Sequence, residues 1–130
     1  MLNMESLKKV YELKGCIAAA EAEIAELKRK EAVDCDSATK SVISQEREML
    51  EYKVSIMSGD VAEAIEFIDA CEDVTINQAM YYRFLKGNSW DAVAATLGGY
   101  NSAEGIRKMV ERYLEKMGIT KGKTQCLNLK

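Results

Sequence analysis

The sequence predicts an all-α protein, with an N-terminal long helical hairpin or coiled-coil arm followed by a small helix-turn-helix domain. Three observations predict it. The 130 residues include no proline, so nothing in the chain breaks a helix outright. The composition is rich in Glu, Lys and Ala, which favour helix. Apolar residues recur three and four apart through most of the length, which is the period of a half-buried helix.

Residues near Met4 to Ala32 predict one long helix. Val10, Leu13, Ile17, Ala20, Ile24 and Leu27 alternate three and four apart and form an a/d seam. The exposed positions carry Glu and Lys, as in Glu26 with Lys30. A lone helix with one apolar stripe is unstable in water, so the seam needs a partner. Either the next helix folds back on it or a second chain supplies it. Asp34 to Thr39 predicts a loop and a new N-cap. A second helix follows from about Ala38 to Met57, with Val42, Ile43, Met49, Leu50, Val54 and Met57 as its apolar face. Residues 1–58 thus read as an acidic helical arm, either stabilising or serving oligomerisation as a homodimer.

Ser58-Gly59-Asp60 punctuates the pattern. A helix is predicted after it, with Val61, Ala64, Ile65 and Ile68 as its buried stripe. Thr75 with Gln78 three residues on forms a capping box for the next helix. Met80, Tyr81, Phe84 and Leu85 supply that helix's apolar face, and Lys86-Gly87-Asn88 closes it. Both helices are expected to pack behind the last pair and complete a four-helix domain over residues 59–118. Residues 119–130 read as a basic tail, expected to be frayed.

The last pair spans Ser89 to Met117. The Ser89 hydroxyl suits an N-cap, and Asp91 puts negative charge at the positive end of the helix dipole. Trp90, Val93, Ala94 and Leu97 share one face, with Trp90 and Leu97 expected to hold the motif together. Gly98 and Gly99 stop the helix, and Ser102 caps the next. Ile106, Met109, Val110, Tyr113 and Met117 mark the inner face of that second helix. Two short capped helices joined by a glycine turn are the signature of a helix-turn-helix. Its second helix, here about residues 102–117, enters the major groove of double-stranded DNA.

Arg107, Lys108, Arg112 and Lys116 fall on or beside the outer face of the second helix. Arg offers a planar fork that matches guanine or phosphate, and Lys offers a point charge. Tyr100, Asn101 and Ser102 begin the expected contact surface, and Arg107, Lys108 and Arg112 continue it. Gly105 would permit close approach of a phosphate to the helix start. Glu104, Glu111 and Glu115 share the helix, so a solvated face with local ion pairs is the competing reading. The other aromatics, Trp90, Tyr81, Tyr82, Phe84 and Tyr113, follow the helical stripes and read as core.

Charge divides along the chain. Up to Val74 there are nine Lys/Arg against seventeen Asp/Glu, a balance of −8. From Thr75 there are nine against four, a balance of +5, so the net −3 hides a basic C-terminal part. A basic region around the last two helices suits phosphate contact, while the acidic part should turn away from DNA and toward protein. The four cysteines are scattered with no CxxC pair, and there is no histidine, so free thiols are expected and no metal or other cofactor. Without histidine the commonest general base is missing, and no glycine-rich phosphate loop is present, so no catalytic residue is assigned. No signal pattern and no membrane-spanning run is visible, which predicts a cytoplasmic protein without a membrane partner.

The stretch MYYRFLKGNSWDAVAATLGGYNSAEGIRKMVERYLEKM resembles the C-terminal segment of sigma-70 region 4-like helix-turn-helix proteins, and among these the phage and prophage regulators of RinA/ArpU type. The resemblance rests on Arg83, Phe84, Gly87, Ser89, Trp90, Asp91, Val93, Ala94, Leu97, Gly98, Arg112, Tyr113 and Leu114. It covers roughly the last half of the chain. It implies a sequence-specific transcription regulator that binds promoter DNA through the second helix, with RNA polymerase as a further partner. Two other readings compete. One is a DNA-packaging adaptor similar to a terminase small subunit. The other is a purely protein-binding helical module that docks on polymerase through the acidic helices.

Overall fold

The computed structural model describes residues 2–33, 36–99 and 101–119, and every regular element in them is helical. The elements are α1 (Met4–Glu31), α2 (Ser37–Asp69), α3 (Val74–Met80), a π-helical turn (Tyr81–Leu85), α4 (Trp90–Leu97) and α5 (Ala103–Lys116). Contacts divide the chain into two compact units. One is Glu12–Val61, and the other joins Met1–Tyr11 to the residues from Ala62 onward.

Local chemistry sets the helix starts. The Asn3 side chain accepts from the Ser6 amide at 2.9 Å, while the Ser6 hydroxyl accepts from the Asn3 amide at 2.8 Å. This reciprocal pair caps α1. Lys28, Arg29 and Lys30 in its last turn complement the helix dipole. Asp36 caps α2 by accepting from the Thr39 amide at 2.9 Å. Hydrogen bonds from the Thr39 side chain and backbone hold the Asp36 carboxyl below its ordinary range.

The expected break at Ser58-Gly59-Asp60 does not occur, and α2 runs unbroken through it. Ile43, Arg47, Leu50, Val54, Met57, Val61, Ala64 and Ile68 keep one spacing of fours and threes across the glycine, and all are buried or half-buried. A glycine in a helix interior costs about 1 kcal/mol, less than the loss of that continuous face.

In the unit Glu12–Val61, α2 folds back antiparallel on α1, so the α1 seam finds its partner within the chain. Ile24, Leu27 and Val61 are buried there. Across the hairpin, Arg47 Nε lies 2.9 Å from Glu31 Oε2 and Lys28 Nζ lies 3.9 Å from Glu51 Oε2. Arg47 thus occupies an inner position with its stem packed and its fork on two carboxylates, since Nη1 also meets Glu51 Oε1 at 3.0 Å. The hydrogen bond to Glu31 holds the Arg47 guanidinium above its ordinary range. Val42 and Met49, expected on the inner face, are exposed.

In the second unit, Leu7 and Val10 of α1 are buried, as are Ala64 and Ile68 near the end of α2 and Cys71 just after it. Ala79, Met80, Phe84, Leu85, Val93, Ala94, Ile106, Val110, Leu114 and Ile119 complete the interior. Ile65, Tyr81 and Met117 are exposed, against expectation: Ile65 and Tyr81 each lie one position beside a buried residue, Ala64 and Met80, and Met117 stands past the last residue of α5 as its C-cap. Asn77 Nδ2 donates to the carbonyls of Ile68 at 2.9 Å and Cys71 at 3.1 Å, which satisfies the end of α2.

The cap of α3 is Asp73 and not Thr75. Its carboxylate accepts from the Ile76 amide at 3.0 Å. The helix then widens, with the Lys86 amide bonding the Tyr81 carbonyl at 3.1 Å, five residues back. Gly87 closes this turn at φ 73°, under the Tyr11 ring. At the other end of the unit, α5 closes in a Schellman motif. Ile119 N bonds Leu114 O at 2.8 Å and Gly118 N bonds Glu115 O at 3.0 Å. Ile119 is buried; the remaining tail, residues 120–130, lies outside the described residues.

Candidate nucleic-acid interface

The candidate surface is built from α4, the turn after it, and α5. Ser89 accepts from the Ala92 amide at 3.1 Å and fixes the start of α4. The preceding π-helical turn is tied to this start. Arg83 Nη1 donates to the Asn88 carbonyl at 3.0 Å, and its guanidinium sits over the Trp90 ring. Trp90 itself is half-buried, while Val93 and Ala94 carry the buried side of α4. Gly98 has φ 70° and ψ −160°, a conformation open to glycine and not to L side chains, and it ends α4. The Asn101 side chain donates to the Gly98 carbonyl at 2.9 Å and braces the turn.

Ser102 then caps α5, accepting from the Gly105 amide at 3.0 Å. A Cβ on Gly105 would stand 3.1 Å from that Ser102 hydroxyl. The glycine therefore leaves room for the cap, a local use beside the expected approach of a phosphate. Ile106, Val110 and Leu114, each four apart, are fully buried and fix which side of α5 faces outward. α4 packs on α5, and α3 packs on both.

The expected contact residues stand as follows. Asn101 and Ser102 are exposed at the start of α5, though each is engaged in the turn by its own hydrogen bond. Tyr100 lies outside the described residues. Lys108, Arg112 and Lys116 are exposed and four apart along α5. Arg107 is different. Its Nε donates to Glu104 Oε1 at 3.2 Å and its Nη2 to Glu104 Oε2, while Nη1 reaches both oxygens of Glu111 at 2.9 and 3.0 Å. The same Glu104 lies 3.7 Å from Lys108 Nζ. Hydrogen bonding from Arg107 holds the Glu104 carboxyl below its ordinary range, and the two glutamates hold Arg107 above its own. Among the described residues, Arg112 and Lys116 take part in no ion pair. On α5 itself, the cations least committed to their own chain are thus at its middle and end. Local ion pairs on this helix, the competing reading, are present, and the pairing of Arg107 is the one that reading did not name. Its signal is in the sequence, with a glutamate three residues before and another four residues after.

Chemically, this surface offers hydrogen-bond donors and point charges. Among the described residues no three His, Cys, Asp or Glu side chains gather as metal ligands. Cys16 is exposed and Cys71 buried, both as free thiols, and Cys35 and Cys126 lie outside the described residues. No helix of the described residues is long and apolar enough to cross a membrane. No family model matches the chain, and neither a curated protein nor a solved structure matches it.

Proposed function

We propose that this chain is a sequence-specific DNA-binding transcription regulator of phage or prophage type, a binding protein and not an enzyme. In this reading α4 and α5 act as a helix-turn-helix, and α5 lies in the major groove. One observation carries it. α5 buries Ile106, Val110 and Leu114 and turns Lys108, Arg112 and Lys116 outward in a line four residues apart. A short helix with that division presents its cations to a groove or a phosphate row. Arg112 and Lys108 are the contacts assigned first, Arg107 joins once it leaves its glutamates, and Asn101 and Ser102 flank the helix start. The acidic arm joins two copies, so that two recognition helices meet two half-sites.

A second reading is supported by the Arg107 pairing. Glutamates that occupy an arginine fork also repel phosphate, which suits a module that docks on a protein such as RNA polymerase. The two are separated by fluorescence anisotropy with a random duplex pool at low and moderate salt, followed by sequencing of the retained DNA. Salt-sensitive binding with an enriched motif, lost in Arg112→Ala, supports the regulator. Absence of binding at low salt sinks it and leaves the protein-binding module.

A further inference from the structure

The hairpin Glu12–Val61 carries an apolar stripe that its own interior does not use. On α2, Val42, Met49, Tyr52 and Ile56 are 63%, 49%, 69% and 49% exposed. Their spacing of seven, three and four residues is that of an a/d seam. It is distinct from the inner seam of Ile43, Arg47, Leu50, Val54 and Met57, which α1 already faces. The α1 seam, the other candidate for joining two chains, is likewise occupied within the hairpin. A stripe of large apolar side chains at seam spacing marks an interaction surface.

We infer that this outer stripe of α2 is the homodimer interface, occupied by the same stripe of a second copy running parallel. The inference deepens the dimer part of the proposed function and is independent of DNA contact. Three features select a second copy in this orientation. First, the flanking charges complement themselves. Glu48 and Lys53 lie five residues apart on opposite flanks of the seam, the offset at which a parallel two-stranded coil brings one chain's Glu to the other's Lys. The two-fold axis forms this pair twice. The flanking positions one heptad away set Ser41 against Glu46 and Ser55 against Asp60, so no like charges meet. Second, neither Glu48 nor Lys53 takes part in an ion pair of its own chain among the described residues. Third, Val42 and Ile56 put β-branched side chains at two of the three a positions, which favours two parallel strands. Parallel pairing also sets Gln45 against Gln45 of the second copy, where two amides satisfy each other. Antiparallel pairing would set Gln45 against Ile56 or, in the other register, Met49, leaving its amide against an apolar side chain. The seam covers only about two heptads, roughly 21 Å. That length suffices because α2 is already folded on α1, so association bears no helix nucleation cost.

The test is sedimentation equilibrium of the full chain at about 100 μM, against the monomer mass of 14.5 kDa. The wild type is expected to sediment at twice that mass. Tyr52→Glu and Ile56→Glu change exposed positions, so helicity by circular dichroism should hold while the dimer weakens about tenfold or more. Glu48→Lys and Lys53→Glu should each weaken it, and the double exchange should restore it. A monomeric wild type overturns both this interface and the dimer reading. A dimer insensitive to Tyr52→Glu and Ile56→Glu overturns this interface while leaving the dimer reading in place. Weakening by the single charge changes without rescue by the double exchange overturns the parallel orientation. None of these outcomes depends on DNA, which the anisotropy measurement reads separately.

Discussion

The guanidinium of Arg83 lies 4.8 Å from the centroid of the Trp90 ring, and this contact ties the π-helical turn to the first residue of α4. The same guanidinium donates to the Asn88 carbonyl, so one side chain spans the whole connection. A cation over an indole face contributes about 0.5–1 kcal/mol when partly exposed. Arg83→Gln is therefore expected to lower stability by about 1 kcal/mol, counting the lost hydrogen bond. In a Trp90→Leu background the same change should cost less by the cation–π share. A double-mutant cycle on urea midpoints reads this coupling directly, and zero coupling would reduce the contact to mere proximity.

Glycines on this chain should respond to alanine with opposite signs. Gly87 has φ 73°, and an added Cβ would stand 2.8 Å from the Tyr11 ring. Gly87→Ala should cost about 1–2 kcal/mol from the left-handed backbone alone, and more as the ring is displaced. Gly15 and Gly59 are interior to α1 and α2, and an added Cβ at either meets nothing within 4 Å. Each alanine there should raise stability by about 1 kcal/mol. Thermal melts of the three variants check it. A loss at Gly59→Ala would contradict an unbroken α2.

That unbroken helix also marks the boundary of what the sequence made legible. The caps at Ser89 and Ser102 were legible because a serine hydroxyl and the amide three residues on are joined by local geometry. Gly59 misled because its signal is local, whereas the spacing from Met57 to Val61 that overrides it belongs to a face many turns long. Val42 and Met49 were placed inside because they are apolar. Arg47 holds an inner position instead, and only the carboxylates of Glu31 and Glu51 across and along the hairpin make that affordable. On α5 the outward cations were legible from the helical period. The glutamates at pairing distance from Arg107 were legible too, but not which of the neighbouring cations they would hold, because that depends on side-chain reach and not on spacing alone.

Engagement of Arg107 leads to a prediction about DNA. Glu104 and Glu111 both hold its fork, and both add negative charge to the surface proposed to meet phosphate. Replacing each with Gln frees the fork and removes two repulsive charges. The pair Glu104→Gln with Glu111→Gln is expected to tighten duplex binding about tenfold at low salt and to steepen its salt dependence. Adding Arg107→Ala should abolish most of the gain if the freed fork is the contact. Anisotropy titrations of the three proteins measure this. An unchanged affinity would remove Arg107 from the interface.

Tyr113 gives the fold a pH dependence on the alkaline side. Its ring packs 5.9 Å from that of Phe67, and burial, followed by a hydrogen bond with Cys71, pushes its hydroxyl up to about 12. The folded state therefore keeps this proton where the unfolded chain, at the ordinary 10.0, has released it. Over that window the unfolded state binds fewer protons, so stability falls as pH rises from about 10 toward 12, and below 10 the group contributes no slope. Tyr113→Phe retains the ring contact and cannot ionise. Urea midpoints at about pH 9 and pH 11 should therefore drop more in the wild type than in Tyr113→Phe. The two proteins should lose stability in parallel only if Tyr113 ionises in the folded chain as freely as in the unfolded one.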